Sequence, residues 1–405
     1  MLKFSLLPSS NLTVNDLRLA LINYIIAKQN NQRFIITVKD LNKQESKDKT
    51  QDNIDILKKF AIVSDDTIYQ SDNLKIYQNF AYKLLKDGKA FICFCESNSC
   101  KNNCLELSQE KIISLKEQKK EFVIRVKKPN KAISFIDEIK GKISLEIEEF
   151  LILNQNQIPT NNFACAIDDM LFNITIKAQN EALLKNSIEQ IYIKELLEYK
   201  ENIKYAHIPA LLNGDILVKK LLQDGFLPDS IINYLILLTL KTPTDIFHLP
   251  DVIEWFDIKN IYKEPIKFDI EKLKELNKEH LKIIDNKKLS LIVGFVDSDI
   301  GKLLKLFLNS SSTINELENN FRAIFSKKDC SKKSIKKVAQ IIQEAPMIDS
   351  FSEFKEYLKN SSNLDEKNLN EALNIILTSS KEPKVPLEKI YPLIKPYLLE
   401  VAQCQ

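Results

Sequence analysis

A chain of 405 residues, 44% hydrophobic and 28% charged, is long enough for two to four packed units and too apolar to be disordered or fibrous. Its 58 basic residues nearly balance its 55 acidic ones, giving a net charge of +3; no global basic field points to nucleic acid, and any RNA contact must come from local patches. Met1 to Ser10 lacks the apolar core of a signal peptide, and the longest apolar run, Ile231 to Leu240, is short and contains Asn233, so a cytoplasmic protein with no membrane partner is expected.

In chain order, Lys3 to Leu7 reads as a first strand. Asn15 or Asp16 is placed to cap a helix whose apolar residues Leu17, Leu21, Ile22, Ile25 and Ile26 share one face. Phe34 to Val38 is a second strand, and a helix between two strands predicts parallel pairing. Gln44 to Asn53 reads as a polar loop, followed by amphipathic segments Ile54 to Phe60 and Leu74 to Leu85. Strand-like pieces Ala90 to Cys95 and Phe122 to Val126 surround a lysine-rich helix and look like an insertion dividing the sheet. Ala164 to Ala178 then returns to strand character and Ala182 to Tyr199 to a helix. From about residue 225 the pattern is helical, with breaks near Pro243, Pro250 and Pro265 and again at Pro383 and Pro386.

Cys93, Cys95, Cys100 and Cys104 place four thiols within twelve residues. Closely spaced pairs suit a tetrahedral structural zinc, and four free thiols are the equal alternative. Cys165, Cys330 and Cys404 are isolated and read as packing or surface residues. Lys327, Lys328, Lys332, Lys333, Lys336 and Lys337 form the densest basic cluster, either a phosphate-binding patch or a solvated helix end. Only six glycines occur, few for a nucleotide-binding loop whose amides must approach phosphates closely. His207, His248 and His280 stand alone and read as hydrogen-bonded structural residues.

The opening Lys3-Phe4-Ser5-Leu6-Leu7-Pro8-Ser9-Ser10, with Thr13-Val14-Asn15-Asp16 and Arg18, is followed by Phe34-Ile35-Ile36-Thr37-Val38-Lys39-Asp40-Leu41-Asn42. This resembles the start of bacterial glutamyl-tRNA synthetases: R-F-A-P-S-P-T-G-x-x-H-I-G-x-x-R, a helix, and a strand ending I-E-D-T-D. Pro159-Thr160-Asn161-Asn162-Phe163-Ala164, Asp168-Asp169, Tyr205-Ala206-His207-Ile208-Pro209, Gly225-Phe226-Leu227-Pro228 and Tyr391-Pro392-Leu393-Ile394 extend the resemblance over practically the whole chain. It implies an α/β Rossmann-type class I synthetase catalytic domain with an α/β insertion, followed by an all-α C-terminal half. Residues 1–85 would be the first half of the catalytic domain and 86–165 a connective, acceptor-arm-binding insertion. Residues 166–228 would be the second half, 229–315 a helical stem-contact junction and 316–405 an anticodon-binding-like helical domain.

The resemblance also shows what has been rewritten. Thr13, Asn15 and Asp16 stand at the H-I-G signature that handles ATP in relatives. A carboxylate at Asp16 opposes a triphosphate at the helix start. Lys3 and Lys39 stand where relatives hold the amino acid with an arginine and an acidic residue. Two unit positive charges ~4 Å apart repel by about 4 kcal/mol at an effective dielectric of 20, so Lys39 disfavours the substrate ammonium. Asp40 is retained, Asn42 replaces a second aspartate, and Asn161 replaces a pocket tyrosine. Of R-G-E-D-H only Glu181 matches, with Gln179 at the arginine. Leu211-Leu212-Asn213 reaches Gly225 through Gly214 to Asp224 alone, and no K-M-S-K loop remains; Lys219 and Lys220 belong to a helical pattern.

These departures predict a degenerate paralogue without ATP binding. It would keep the fold and bind tRNA(Glu) or tRNA(Gln) through Lys127, Lys128 and Lys131, at the acceptor-arm position, and through the 327–337 cluster. Its partners would be a true synthetase or a tRNA-dependent amidotransferase. The alternatives are a divergent active glutamate–tRNA ligase and a protein-binding scaffold without RNA affinity.

Overall fold

Strand β1 (Leu2–Leu6) and strand β2 (Phe34–Val38) are buried on both faces, as parallel strands sandwiched between helices are. They pair in parallel with Phe4 opposite Ile36, and β3 (Asp66–Tyr69) adds to β2 in the same sense. The structure, a computed structural model, describes residues 1–8, 10–41, 47–95, 100 and 103–405. These pack as two compact units, residues 1–219 with 235–268, and residues 220–234 with 269–405.

Helix α1 (Val14–Gln29) connects β1 to β2. Its N-cap is Thr13 rather than Asn15 or Asp16: the Thr13 hydroxyl accepts from the Asp16 amide at 3.2 Å, and Asp16 Oδ2 accepts the Thr13 amide at 3.0 Å. This reciprocal capping box satisfies two otherwise orphaned donors. The expected polar loop Gln44 to Asn53 is corrected in part. Gln44 to Ser46, like Asn42, lie outside the described residues, but α2 already begins at Lys47 and runs to Lys59. Asn53 is buried in it for a polar reason: its side chain accepts from the Leu12 amide at 3.1 Å and donates to the Ser10 carbonyl at 2.8 Å. It thereby anchors the segment before α1.

After α3 (Leu74–Lys86) the chain builds β4 (Ala90–Cys93), α4 (Gln109–Glu117), β5 (Val123–Val126), β6 (Ile133–Asp137), β7 (Gly141–Leu145) and β8 (Phe150–Leu153). Strands β4, β5 and β8 form a separate antiparallel sheet. The β6–β7 hairpin leaves it, and β6 pairs with a later strand, giving the order β7-β6-β10-β9, where β9 is Ile176–Asn180 and β10 is Lys204–Ile208. The expected strand over Ala164 to Ala178 is mostly helix: α5 spans Asn161–Leu171, capped by Thr160. Phe163 to Asp169 are all buried, and a segment covered on every side loses the periodicity that separates helix from strand. Helix α6 (Leu184–Leu196) then runs between the parallel strands β9 and β10.

Among the described residues no ladder joins β1 to β9. Where these strands begin, the Thr175 amide donates to the Met1 carbonyl at 3.0 Å and ties the two half-sheets. Beyond that tie a cavity of about 500 Å³ is lined by both strands. Crevices at such a break in strand order are where open α/β sheets bind ligands.

Later in the first unit, β11 (Leu211–Leu212) pairs with β12 (Ile266–Lys267), and α7 begins at Val218. The second unit is all helical, including α8 (Ile270–Ile283) and a last short helix at Leu398–Val401, around a core that includes Leu303, Leu317, Val338, Phe354, Leu373 and Ile390. Cys330 and Cys404, read as isolated, are bonded to each other with Cα atoms 5.6 Å apart, since Lys328 pairs with the C-terminal residues as a short parallel bridge. Among the described residues no helix is long and apolar enough to cross a membrane.

Candidate functional site

Lys3 and Lys177 of the cavity lining belong to a buried charge cluster centred on one carboxylate. Asp169 of α5 accepts Lys3 of β1 on Oδ1 at 2.6 Å, and Lys177 of β9 and Lys194 of α6 on Oδ2 at 2.9 and 3.3 Å. The three lysines are 5–7% exposed and Asp169 not at all. Burial alone would raise the Asp169 pKa, but the three cations outweigh it and hold the carboxyl well below the usual range. Burial lowers Lys194 to about 8, against the pull of Asp169, and lowers Lys177 as well. Burial also pulls on Lys3, yet its close pairing with Asp169 leaves its pKa raised. Beside them Asp168 accepts Tyr77 at 2.6 Å and Gln70 at 2.8 Å, and burial raises its pKa against these bonds and the Lys3 charge.

The cavity walls carry Asn15, Asp16, Asn23, Lys39, Asn161, Gln179, Asn186 and Gln190. Lys39, Asn161 and Gln179, singled out from the sequence, therefore converge on one space. Gln179 is held from behind: its amide donates to His207 Nε2 at 3.0 Å and to Ser187. Asp137, 2.6 Å from His207 Nδ1, keeps the ring proton on that nitrogen and leaves Nε2 an acceptor. Ser187, His207 and Asp137 are ordered like a hydrolytic triad, but they are buried at 0–2% exposure and act as a brace for Gln179.

Two other residues face elsewhere. Both oxygens of Asp40 are taken by Ser71, from its amide at 2.8 Å and its hydroxyl at 2.6 Å, which fixes the start of the turn after β3. Glu181 accepts Lys140 at 2.5 Å and the Ala210 amide at 2.7 Å. Arg18, almost fully buried, donates to the Pro209 carbonyl at 2.6 Å, and burial lowers its pKa to about 10 despite Glu181 nearby.

The start of α1 is closed by the chain itself. The Val14 amide donates to Ile216 O at 2.9 Å, the Asn15 amide to Gly214 O at 3.2 Å, and the Asp16 amide to Thr13. The Thr13 hydroxyl donates to Asp16 Oδ2 at 2.6 Å. These first-turn amides would otherwise be an anion site. Gly214 permits the approach: a Cβ there would lie 2.8 Å from Leu211 O and 3.3 Å from Asn15 Cβ.

In the antiparallel sheet the sulfur atoms of Cys93, Cys95, Cys100 and Cys104 all lie within 4.8 Å of one another, and Cys95 and Cys104 are 3.7 Å apart. A tetrahedron with Zn–S bonds of ~2.3 Å has edges of about 3.8 Å, so the donor set fits zinc. Burial raises Cys93 and pushes Cys104 up to about 12; a bound cation would reverse this by stabilising thiolates.

The basic patches divide. Lys128 and Lys131 are exposed and Lys127 half-buried, with Lys128 paired to Glu148 at 2.7 Å. In the second unit Lys327, Lys332, Lys333, Lys336 and Lys337 are exposed. Lys328 is not available to a phosphate. It is 1% exposed, donates to the Ala323 and Ile324 carbonyls at 3.1 and 2.6 Å, and has a pKa lowered to about 8 by burial. Its helix-capping role gives no signal in a lysine count.

A parallel sheet with a ligand crevice at its break, an inserted antiparallel sheet and a helical C-terminal unit define a class I aminoacyl-tRNA synthetase architecture. Residues 3–275 match the family model for the catalytic domain of class I tRNA synthetases for E and Q. The chain is 40% identical over 428 residues to glutamate–tRNA ligase 2 of Sulfurovum sp., covering 99% of this chain and all of that one. It is 39% identical over 433 residues to glutamate–tRNA ligase 1 of Nitratiruptor sp., covering all of both. The fold is shared with a crystal structure of a glutamate tRNA ligase from Elizabethkingia meningosepticum in complex with its amino acid, at a TM-score of 0.79 and 20% identity over 99% of this chain and 97% of that one. The chain belongs to the glutamyl-tRNA synthetase family.

Replacing Asp169 by Asn should cost about 3–5 kcal/mol, the range for breaking a buried ion pair, measurable by urea denaturation. Because the Asp169 pKa is depressed in the folded state, its contribution is complete above the unfolded carboxyl value of about 3.9 and is lost as pH falls below it. The variant should therefore lose stability less steeply than the parent in that acid range.

Proposed function

We propose that this protein is a glutamyl-tRNA synthetase family member that no longer activates glutamate with ATP and works as a tRNA-handling partner of the charging machinery. The observation that carries this reading is the closed start of α1. The Gly214 and Ile216 carbonyls and the Asp16 carboxylate occupy the place where a helix N-terminus would receive phosphate. The short Gly214 to Asp224 connection, which lacks the lysine loop of relatives, delivers those carbonyls. Lys39 on the cavity wall adds repulsion toward an ammonium. Losing one preorganised transition-state donor costs ~10²–10³ in rate, and here several are changed together. With saturating ATP, glutamate and tRNA, pyrophosphate exchange should stay at the no-enzyme background.

A second reading, a divergent active ligase, is favoured by the full-length similarity to proteins named glutamate–tRNA ligase. Exchange clearly above background would establish it and end the first.

For tRNA, the exposed 127–131 segment is the contact we favour, with tRNA(Glu) or tRNA(Gln) as the ligand and a true synthetase or a tRNA-dependent amidotransferase as the protein partner. Lys127→Glu with Lys128→Glu should weaken tRNA binding and flatten the slope of log K against log salt by about 2, one unit per lost phosphate contact. An unchanged slope would instead support a scaffold without RNA affinity.

Cys93, Cys95, Cys100 and Cys104 would hold a structural zinc that ties Cys100 and Cys104 to the end of β4. Elemental analysis of the purified chain should find about one zinc per molecule, reduced in Cys95→Ser; a metal-free parent would leave four thiols.

A further inference from the structure

The buried cationic cluster that reaches the cavity lining through Lys3 and Lys177 is larger than the closed α1 terminus explains. Lys3, Lys177 and Lys194, each at least nine-tenths buried, converge on the single Asp169 carboxylate. Even with Asp168 ionised, three ammonium groups face two carboxylates, and the cluster keeps an excess positive charge away from bulk water. An uncompensated buried charge is costly unless something pairs with it.

Lys3 and Lys177 line the cavity, and each retains donor capacity there. An ammonium has three N–H groups. Lys3 uses them on Asp169 and on the Cys165 carbonyl at 3.3 Å. Lys177 uses them on Asp169 and Gln190. Lys39 lines the same space from the end of β2. Among the described residues the one carboxylate in the lining, Asp16, has an oxygen committed to Thr13 at the start of α1.

We propose that this cavity binds a compact organic or inorganic polyanion that lacks an ammonium group, held by Lys3, Lys39 and Lys177. A carboxylate or phosphoryl oxygen against Lys3 and Lys177 offsets the excess charge of the buried cluster, while Lys39 engages the second anionic group. An α-amino acid is disfavoured because its ammonium meets Lys39 and, among the described residues, no acidic partner on that wall. Dicarboxylates and phosphorylated compounds share the required chemistry. The inference rests on the reading that glutamate is not the ligand of this site.

Isothermal titration calorimetry of the full chain with glutarate, inorganic pyrophosphate and L-glutamate separates the cases. Glutarate is the glutamate skeleton without its ammonium. The expected result is saturable binding of glutarate, pyrophosphate or both, at least ~10-fold tighter than glutamate, and weakened at least ~10-fold in Lys39→Met. Glutarate binding alone identifies a dicarboxylate site and pyrophosphate binding alone a phosphoryl site. Lys39→Glu should narrow or reverse the preference over glutamate. Glutamate binding as tight as glutarate, no saturable binding of any of the three, or binding unchanged in Lys39→Met would each overturn the proposal. Lys39 is only half-buried, so both variants should fold, which a melting curve on each checks. Pyrophosphate exchange on the same preparation reports separately on glutamate activation: exchange without glutarate or pyrophosphate binding defeats both readings, and background exchange without anion binding defeats this one alone.

Discussion

The catalytic-type unit hangs on one carboxylate. Strands β1 and β9 belong to two half-sheets that share no ladder among the described residues, and Asp169 of α5 joins them by receiving Lys3 from one and Lys177 from the other, with Lys194 of α6 as a third contact. A break in a parallel sheet is costly unless the polar groups along it find partners. Here side chains and a cavity take the place of backbone pairing. The same interaction that holds the halves together sets the electrostatics of the space between them.

That coupling constrains what the site can become. Lys3 and Lys177 belong to the support of the fold as well as to the cavity lining, so their charge cannot be removed without exposing Asp169 to a buried, uncompensated state. Lys39 and Gln179 are more freely replaceable, being on the walls, although Gln179 is braced by His207 and Asp137 from the neighbouring strands. The start of α1 is constrained differently. Its first amides are satisfied by backbone from a connection that folds back over them, so an anion could reach them only if the chain moved.

The inserted sheet has a different logic. One side of it shares a large core with Tyr77, Phe163 and Ile188 through Ile124, Val126 and Ile152; the side that carries the thiols has only a small buried cluster, Phe91, Cys93, Cys95, Cys104 and Val123, and a small apolar cluster gains most from a cross-link such as a metal. In the helical unit, a covalent bond between Cys330 and Cys404 stands beside the short bridge that Lys328 makes with the C-terminal residues.

Much was legible in the residues alone. The βαβ opening, the inserted strands, the helical second half and the family all follow from local periodicity and motif order, because strands and amphipathic helices carry their burial pattern in the chain. The convergence of Lys39, Asn161 and Gln179 followed from the resemblance. The helix over Asn161 to Leu171 did not, since burial on every side erased its period. Nor did the capping role of Thr13, the burial of Lys328 or the pairing of Cys330 with Cys404. By itself the sequence determined most of the elements and the family to which the chain belongs. Only the tertiary structure decided that Lys3, Lys177 and Lys194, far apart in the chain, meet on Asp169 and that the chain closes the start of α1, because charge compensation and backbone satisfaction depend on neighbours in space.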